Sequence, residues 1–145
     1  MTGVPEVGDL VVERDSTPGA DQSRAWWAGA SNAGRNIHHD EEFARRNRLP
    51  GLLISAPHLL ALASDALHQR FGDSWTAGSD VRLEYRDMVV AGDQVRVLAT
   101  VAERTDGPDT ADLRIDVTVV KLVDGQPAPK PACRGSAQLR LPLSG

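Results

Sequence analysis

One helix-forming segment, residues 57–71, constrains the fold of this chain most strongly. Pro57 suits the first turn of a helix, and Gly72 ends it. Apolar residues recur at intervals of three and four, at Leu59, Leu62, Ala63, Ala66, Leu67 and Phe71. Leu60 and Ala61 widen this stripe, so the first half of the helix is apolar almost all round. Such a helix has to be covered on most sides by the rest of the chain.

The segments that could cover the helix follow it along the chain. After Gly72 apolar and polar residues alternate, which is typical of strands with one buried and one solvated face, in residues 81–85, 95–101, 113–119 and 137–141. Turn-forming residues separate these strands at 91–93, 106–109 and 124–127. A short first strand is predicted at residues 10–13. We therefore expect an α+β fold in which an antiparallel sheet wraps around one long central helix.

The length of 145 residues predicts a single domain spanning residues 1–145. In the predicted layout one sheet face or edge is left uncovered, so we expect at least a dimer. Between the first strand and the central helix, residues 29–36 have the composition of a loop. Asp40 is expected to cap a short helix over residues 41–47.

Composition argues against several classes of function. The net charge of -4 and the absence of a Lys/Arg run argue against nucleic-acid binding. No apolar stretch reaches the ~18 residues of a membrane span, and the first nine residues lack a signal-peptide pattern, so a cytoplasmic location is expected. The single cysteine, Cys133, is predicted to be half-buried in a strand, and no Cys/His spacing predicts a metal site.

The segment from Trp27 to Leu60 carries the most specific information. It reads WAGASNAGRNIHHDEEFARRNRLPGLLISAPHLL. It resembles the MaoC-like hydratase/dehydratase family, whose members have a Tyr-Ala-Gly-x-Ser-Gly-Asp-x-Asn-Pro-x-His-x-Asp loop, a short helix rich in Phe-Ala, and a Pro-Gly before the central helix. The positions that agree without a gap are Ala28-Gly29, Ser31, Ile37-His38, Asp40, Phe43-Ala44 and Pro50-Gly51. The later turn Val90-Ala91-Gly92-Asp93 is also similar to the family.

This resemblance implies a hotdog fold and an acyl substrate carried as a thioester on coenzyme A or a carrier protein, with no other cofactor. In the family an Asp and a His add water to, or remove it from, an α,β-unsaturated thioester. A backbone N–H at the start of the central helix polarises the thioester carbonyl. The resemblance also implies a homodimer, or a heteromer with a second hotdog subunit.

The correspondence of individual site residues is incomplete. His38 stands at the position of the catalytic His, but the catalytic Asp corresponds to Ala33, which cannot hold a proton. The Asn and Pro of the family loop correspond to Arg35 and Asn36. The His-Gly before the central helix corresponds to Ser55 and Ala56; the oxyanion role needs only a backbone N–H, which Ala56 retains.

Several residues are therefore candidates for the site. His38 is expected to act as the general base at neutral pH, with Asn36 orienting the water. Ala56 is expected to bind the thioester carbonyl, with Ser55 or Asn32 forming hydrogen bonds nearby. Ser55 is alternatively a helix cap. Arg35 is either a solvated cation or a ligand for a phosphate or carboxylate of the carrier.

Three functions remain open from the sequence. The first is a carbon–oxygen lyase of the enoyl-thioester hydratase or 3-hydroxyacyl-thioester dehydratase type, or a related conjugate addition, that uses His38 without the usual Asp. The second is a non-catalytic acyl-binding subunit of a heteromeric hotdog hydratase, favoured by Ala33. The third is a thioesterase with Asp65 as its carboxylate. Trp26 and Trp27 are expected to pack against other side chains, with the alternative that one of them lines an acyl tunnel.

Overall fold

The long helix packs against one face of a single antiparallel sheet in the computed structural model, which describes residues 3–28 and 34–143. The elements in chain order are β1 (Leu10–Ser16), α1 (Ala20–Trp27), α2 (Glu41–Arg46), α3 (Ala56–Phe71), α4 (Asp73–Thr76), β2 (Asp80–Tyr85), β3 (Val95–Asp106), β4 (Thr110–Val123), β5 (Gln126–Pro127) and β6 (Cys133–Pro142). This is the α+β hotdog arrangement that the sequence predicts.

The strands are arranged in the order β1-β3-β4-β6-β2, and each neighbouring pair is antiparallel. The two-residue strand β5 pairs only with β4. β1 and β2 are therefore the two edges of the path. The edge strand β2 follows α3 and α4 in the chain. Tyr85, at the end of β2, forms a hydrogen bond to Ala56, the first residue of α3.

The core lies between α3 and the sheet. The predicted alternation is confirmed in the strands, whose inward side chains are almost completely buried, including Val95, Val97, Ala99, Val101, Leu113, Ile115, Val117, Val119, Ala137 and Leu139. The helix contributes Leu59, Ala63, Ala66 and Leu67 from the predicted stripe. The side of α3 that carries Asp65, His68 and Gln69 is exposed. Burial of these apolar side chains is the main force that holds α3 in place.

The predicted ends of helices and strands differ from the observed ends mainly where apolar and polar residues do not alternate regularly. β3 continues to Asp106, five residues beyond Val101, because it remains paired with β4 although both of its faces become more exposed there. The short elements α4 and β5 were not predicted. α4 starts directly after Gly72, whose φ of 55° ends α3, and its buried Trp75 donates its indole N–H to Ser64 Oγ at 3.1 Å.

Two local predictions can be compared directly with the structure. Asp40 caps α2 as predicted, because its Oδ1 accepts a hydrogen bond of 2.9 Å from Phe43 N, although α2 ends at Arg46 rather than Asn47. Cys133 is completely buried at the start of β6, so the prediction of half burial was wrong. Burial raises the pKa of the Cys133 thiol to about 11, and the thiol therefore stays protonated at neutral pH.

Candidate active site

The N-terminus of α3 presents one free backbone N–H. Pro57 has no N–H, and the N–H groups of His58 and Leu59 both donate to Ser55 O at 3.1 Å. The Ala56 N–H has no acceptor within residues 3–28 and 34–143. The Ala56 N–H is therefore available at the first turn of this 16-residue helix. It is the donor that the sequence predicts for the thioester carbonyl.

The backbone carbonyl of Ala56 is held in place by a hydrogen bond from the edge strand β2. The hydroxyl of Tyr85, at the end of β2, donates a hydrogen bond of 2.9 Å to Ala56 O. Desolvation raises the pKa of Tyr85, so its hydroxyl remains a donor at neutral pH. The sequence did not single out Tyr85, because this contact joins residues that are 29 positions apart.

His38 is anchored beside the chain segment that leads into α3. Its ring Nδ1 lies 2.7 Å from Leu53 O, two residues before Ser55. Because a carbonyl oxygen can only accept, the neutral ring carries its proton on Nδ1 and has its lone pair on Nε2. The ring also stacks on Trp27, with 5.2 Å between the centroids and 4° between the planes. His38 is thus held in the tautomer that a base acting through Nε2 requires.

The backbone around His38 is held by three further hydrogen bonds. Ser23 Oγ, from the buried face of α1, donates to His38 O at 2.6 Å. Leu53 N donates to Ile37 O at 2.9 Å. His38 N donates to the side-chain Oδ1 of Asn36 at 2.9 Å. These contacts tie the loop to both α1 and the segment before α3.

Asn36 holds the turn that presents His38. In addition to the bond from His38 N, its Oδ1 lies 2.8 Å from His39 Nδ1. One carbonyl oxygen thus organises two consecutive residues, an arrangement typical of Asn in turns. The observed contacts are those of a positioning residue, while its predicted role in orienting water stays a prediction.

Arg35 is bound by carboxylates of its own chain. Its Nε donates to Asp40 Oδ2 at 2.8 Å, and its Nη2 donates to Glu42 Oε2 at 3.2 Å. The bond to Asp40 raises the pKa of the Arg35 guanidinium and lowers the pKa of the Asp40 carboxyl. A phosphate or carboxylate of a carrier would have to compete with these two acids, so the predicted ligand role of Arg35 has no support from its contacts.

Ser55 occupies the N-cap position of α3, but its hydroxyl forms no capping bond. Ser55 is therefore the helix-cap residue that the sequence predicts, but it caps α3 without a side-chain hydrogen bond. Ser55 is only 2% exposed, and its Oγ has no hydrogen-bond partner among the residues that the structure describes. Of the other candidates, Asn32 lies outside the described residues, as does Ala33.

His58, which lies in the first turn of α3, is not among the site residues predicted from the sequence. Its side chain is 8% exposed, and its ring stacks on Trp26 with a centroid distance of 5.0 Å and an interplanar angle of 3°. Desolvation lowers the pKa of His58, so the ring is neutral at neutral pH. The signal was present in the sequence, since His58 is the one polar side chain in the otherwise apolar first half of the helix.

Other features of the described residues lie outside this site. Asp65 is exposed and forms an ion pair with Arg14 at 2.6 Å. Among residues 3–28 and 34–143, no three His, Cys, Asp or Glu side chains cluster in a way that could hold a metal. None of the described helices is both long enough and apolar enough to cross a membrane. A groove of about 700 Å³ is lined by residues of α4, β3, β4 and β6, and His38 is not part of its lining.

Comparison with known proteins supports the fold on independent grounds. The structure resembles a MaoC-like dehydratase from Rhodospirillum rubrum, with a TM-score of 0.73, 22% identity, and coverage of 97% of this chain and 95% of the other. It also resembles the R-hydratase PhaJ1 from Pseudomonas aeruginosa, with a TM-score of 0.74, 20% identity, and coverage of 97% of this chain and 88% of the hydratase. A third similar structure is the ChsH1-ChsH2 complex from Mycobacterium tuberculosis, with a TM-score of 0.71, 14% identity, and coverage of 97% and 100%.

The sequence was also compared with curated proteins and with family models. No curated protein matches it significantly. The model of the MaoC-like domain matches residues 6–122, which include His38, Ala56 and the central helix. Together with the wrapped helix and the loop histidine beside its N-terminus, this match shows that the chain belongs to the MaoC-like dehydratase family.

Proposed function

We propose that the protein is a carbon–oxygen lyase that hydrates an enoyl thioester, or dehydrates a 3-hydroxyacyl thioester, carried on coenzyme A or a carrier protein. The observation that carries this proposal is the bond from the His38 ring to Leu53 O. This bond leaves Nε2 as the basic nitrogen, on a ring anchored to Leu53, two residues before the α3 N-cap and three residues before Ala56.

In the hydration direction, His38 Nε2 takes a proton from water as the water oxygen bonds to the β-carbon. The electron pair of the carbon–carbon double bond shifts to the carbonyl, and negative charge develops on the carbonyl oxygen. The Ala56 N–H and the positive end of the α3 dipole stabilise that charge. The His38 imidazolium then returns its proton to the α-carbon, so one water has been added and the base is restored. Dehydration follows the same steps in reverse.

The base and the oxyanion donor contribute to the rate by amounts typical of such groups in enzymes. General-base assistance contributes roughly 10²–10⁴ in rate. One oxyanion donor contributes roughly 10²–10³. Because Ala33 replaces the Asp of the family motif, His38 carries the proton transfer without that carboxylate. We therefore expect a slower enzyme than one with both groups.

A second candidate function is a non-catalytic acyl-binding subunit of a heteromer. Two observations favour it: Ala33 at the position of the family's acid, and the likeness to the ChsH1-ChsH2 complex. In such an assembly the partner would supply the acid and base, and this chain would shape the acyl pocket. The thioesterase alternative has less support, because Asp65 is held on the surface by Arg14.

We further infer that a second hotdog subunit, identical or different, covers the site. Trp26 and Tyr85 are 45% and 43% exposed, and Met88, at 46%, precedes Val89, whose carbonyl accepts a hydrogen bond from Ile54 N just before α3. Trp26 contacts His58 and Tyr85 contacts Ala56, so this patch borders the proposed reaction centre. Exposed apolar patches of this kind mark protein interaction sites.

The decisive test is to assay the purified protein for hydration of enoyl-CoA thioesters of short and long chain length. His38→Ala is expected to lower kcat at least 100-fold, because it removes the base. His68→Ala is the matched control, since His68 lies on the exposed side of α3 and should leave the rate unchanged. Activity that appears only with a second hotdog subunit and survives His38→Ala would favour the non-catalytic role. Release of free CoA thiol would favour a thioesterase.

A further inference from the structure

Three buried polar atoms near the start of α3 lack hydrogen-bond partners among the described residues. They are Trp27 Nε1, Ser55 Oγ and His58 Nδ1. Ser55 and His58 are 2% and 8% exposed, so bulk water does not supply the missing bonds. An unsatisfied buried polar group destabilises the fold, and folded proteins rarely retain one without a functional reason.

These atoms belong to one region of the molecule. Ser55 and His58 share the first turn of α3, where His58 N donates to Ser55 O. Trp26 stacks on His58, and the next residue, Trp27, stacks on His38. The two stacks connect α1 to both the proposed base and the start of the helix. The unpartnered atoms therefore belong to the first turn of α3, which carries Ala56, and to the ring that stacks on His38.

The proposed reaction does not use any of the three atoms. It requires a donor to the thioester carbonyl, which is the Ala56 N–H, and a base, which is His38 Nε2. The remaining atoms form a donor-rich set, because an indole N–H only donates, while a hydroxyl and a neutral imidazole can donate or accept. Such a set suits an oxygen atom that accepts hydrogen bonds.

We propose that Trp27, Ser55 and His58 form a polar subsite that binds an oxygen substituent on the acyl chain, at a carbon beyond the one that reacts. The substrate class is then an acyl thioester with a ketone or hydroxyl group on its chain, rather than a plain alkanoyl thioester. This inference rests on the proposed function, because it assumes that the acyl thioester lies beside His38 and Ala56.

The subsite can be tested by binding alone, with saturated thioesters that can be neither hydrated nor dehydrated. Calorimetry would compare hexanoyl-CoA with 4-oxohexanoyl-CoA and 5-oxohexanoyl-CoA. We expect at least one oxo thioester to bind about 10-fold more tightly than hexanoyl-CoA, as expected for hydrogen bonds of about 1.4 kcal/mol in total. Equal affinities would overturn the subsite and leave the proposed function standing. If none of the three binds, the proposed function fails and the subsite with it.

Three variants identify the atoms responsible. Trp27→Phe keeps an aromatic ring against His38 but removes the N–H, His58→Phe keeps a ring against Trp26, and Ser55→Ala removes the hydroxyl. Each is expected to reduce the preference for the oxo thioester several-fold, while affinity for hexanoyl-CoA changes less than about twofold. Trp75→Phe is the matched control, because its indole N–H binds Ser64 and should not affect the preference.

Thermal unfolding of the free variants separates this role from a structural one. The removed atoms form no hydrogen bonds in the described structure, so Ser55→Ala should be at least as stable as the wild type. If a Trp27 or His58 variant fails to fold, Ser55→Ala alone still tests the subsite. Undiminished preference in Ser55→Ala, and in whichever ring variants fold, would overturn the assignment and indicate that the three atoms bind internal water instead.

Discussion

At the scale of single residues, the chemistry of the site depends on which side-chain atoms already form hydrogen bonds or ion pairs within the chain. His38 has one ring nitrogen bound to Leu53 O, and this contact determines the nitrogen that can act as a base. Arg35 has its guanidinium bound by Asp40 and Glu42 and so contributes to the loop's own structure. His38 keeps one ring nitrogen available for chemistry, whereas the guanidinium of Arg35, three residues earlier, is held by two carboxylates.

Asn36→Ala is expected to lower the hydratase rate by about 10-fold or more, because the turn that presents His38 loses its shared acceptor. The effect should be on kcat, measured with a saturating enoyl-CoA. Asn36→Asp, which keeps an acceptor oxygen, should retain more activity than the Ala variant. Asn47→Ala is the control, since Asn47 is exposed at the end of α2. Equal rates for Asn36→Ala and the wild type would rule out the positioning role.

The raised pKa of the buried Cys133 thiol is expected to make the protein less stable in alkaline solution. In the unfolded chain its thiol ionises near the ordinary pKa of 9.0, whereas in the folded protein burial raises the pKa to about 11. Between these values the unfolded state has lost its proton and the folded state has not, so stability falls as pH rises. The thiol should remove about 1.4 kcal/mol from the free energy of unfolding at pH 10 relative to neutral pH.

The measurement is urea unfolding of the wild type and of Cys133→Ala at pH 8 and pH 10. Cys133→Ala will be less stable at both pH values because it leaves a small cavity. Its loss between the two pH values should nevertheless be smaller than that of the wild type. Parallel losses in the two proteins would contradict the assigned thiol pKa.

At the scale of elements, the edge strand β2 connects the sheet to the start of α3. Tyr85 at the end of β2 holds Ala56 O, and Leu83 of the same strand pairs with Gly135 of β6. A Cβ at position 135 would lie 1.8 Å from Arg82 O, so only glycine allows β2 to approach β6 so closely. The approach of these two strands therefore contributes to the position of the proposed oxyanion donor.

Gly135→Ala is expected to destabilise the fold by about 1–3 kcal/mol, because the added methyl group must push β2 away from β6. The displacement should also lower kcat by moving Tyr85 and hence Ala56. Denaturant unfolding and the hydratase assay measure the two effects. Gly78→Ala serves as the control, since a Cβ at position 78 would have nothing within 4 Å. Wild-type stability in Gly135→Ala would show that the strands can separate freely.

At the scale of the whole molecule, the proposed site is bordered by exposed apolar side chains. The apolar patch of Trp26, Tyr85 and Met88 borders it, and β2 is an unpaired edge of the described sheet. A partner subunit over this region would exclude water from the reaction centre. Water exclusion strengthens the electrostatic interactions on which the proposed chemistry depends.

We expect the purified chain to be a dimer in light scattering, and Met88→Glu to shift it towards monomer, because a charge in the patch opposes burial. Val123→Glu is the control: Val123 is 62% exposed at the end of β4 and lies outside the patch. A wild-type monomer would contradict the homodimer and direct attention to a heteromeric partner. A Met88→Glu variant that remains fully dimeric would place the interface elsewhere.

The sequence by itself determined the architecture and the main candidate for the base. Periodicity along the chain reports which side chains are buried, so the apolar stripe of α3 and the alternating strands were sufficient to predict a wrapped helix. The loop motif identified His38, because the family spacing of that loop is retained in this chain.

Only the tertiary structure decided how the site is assembled. The contacts that define the site join residues that are distant in the sequence. They are the bond from His38 to Leu53 O that determines its tautomer, the bond from Tyr85 to Ala56 O, and the stacks of Trp26 on His58 and Trp27 on His38. Hydrogen bonding and stacking require positions in space within a few ångströms, and a one-dimensional pattern contains no such distances. For the same reason the unpartnered Ser55 hydroxyl could be recognised only after its surroundings were known.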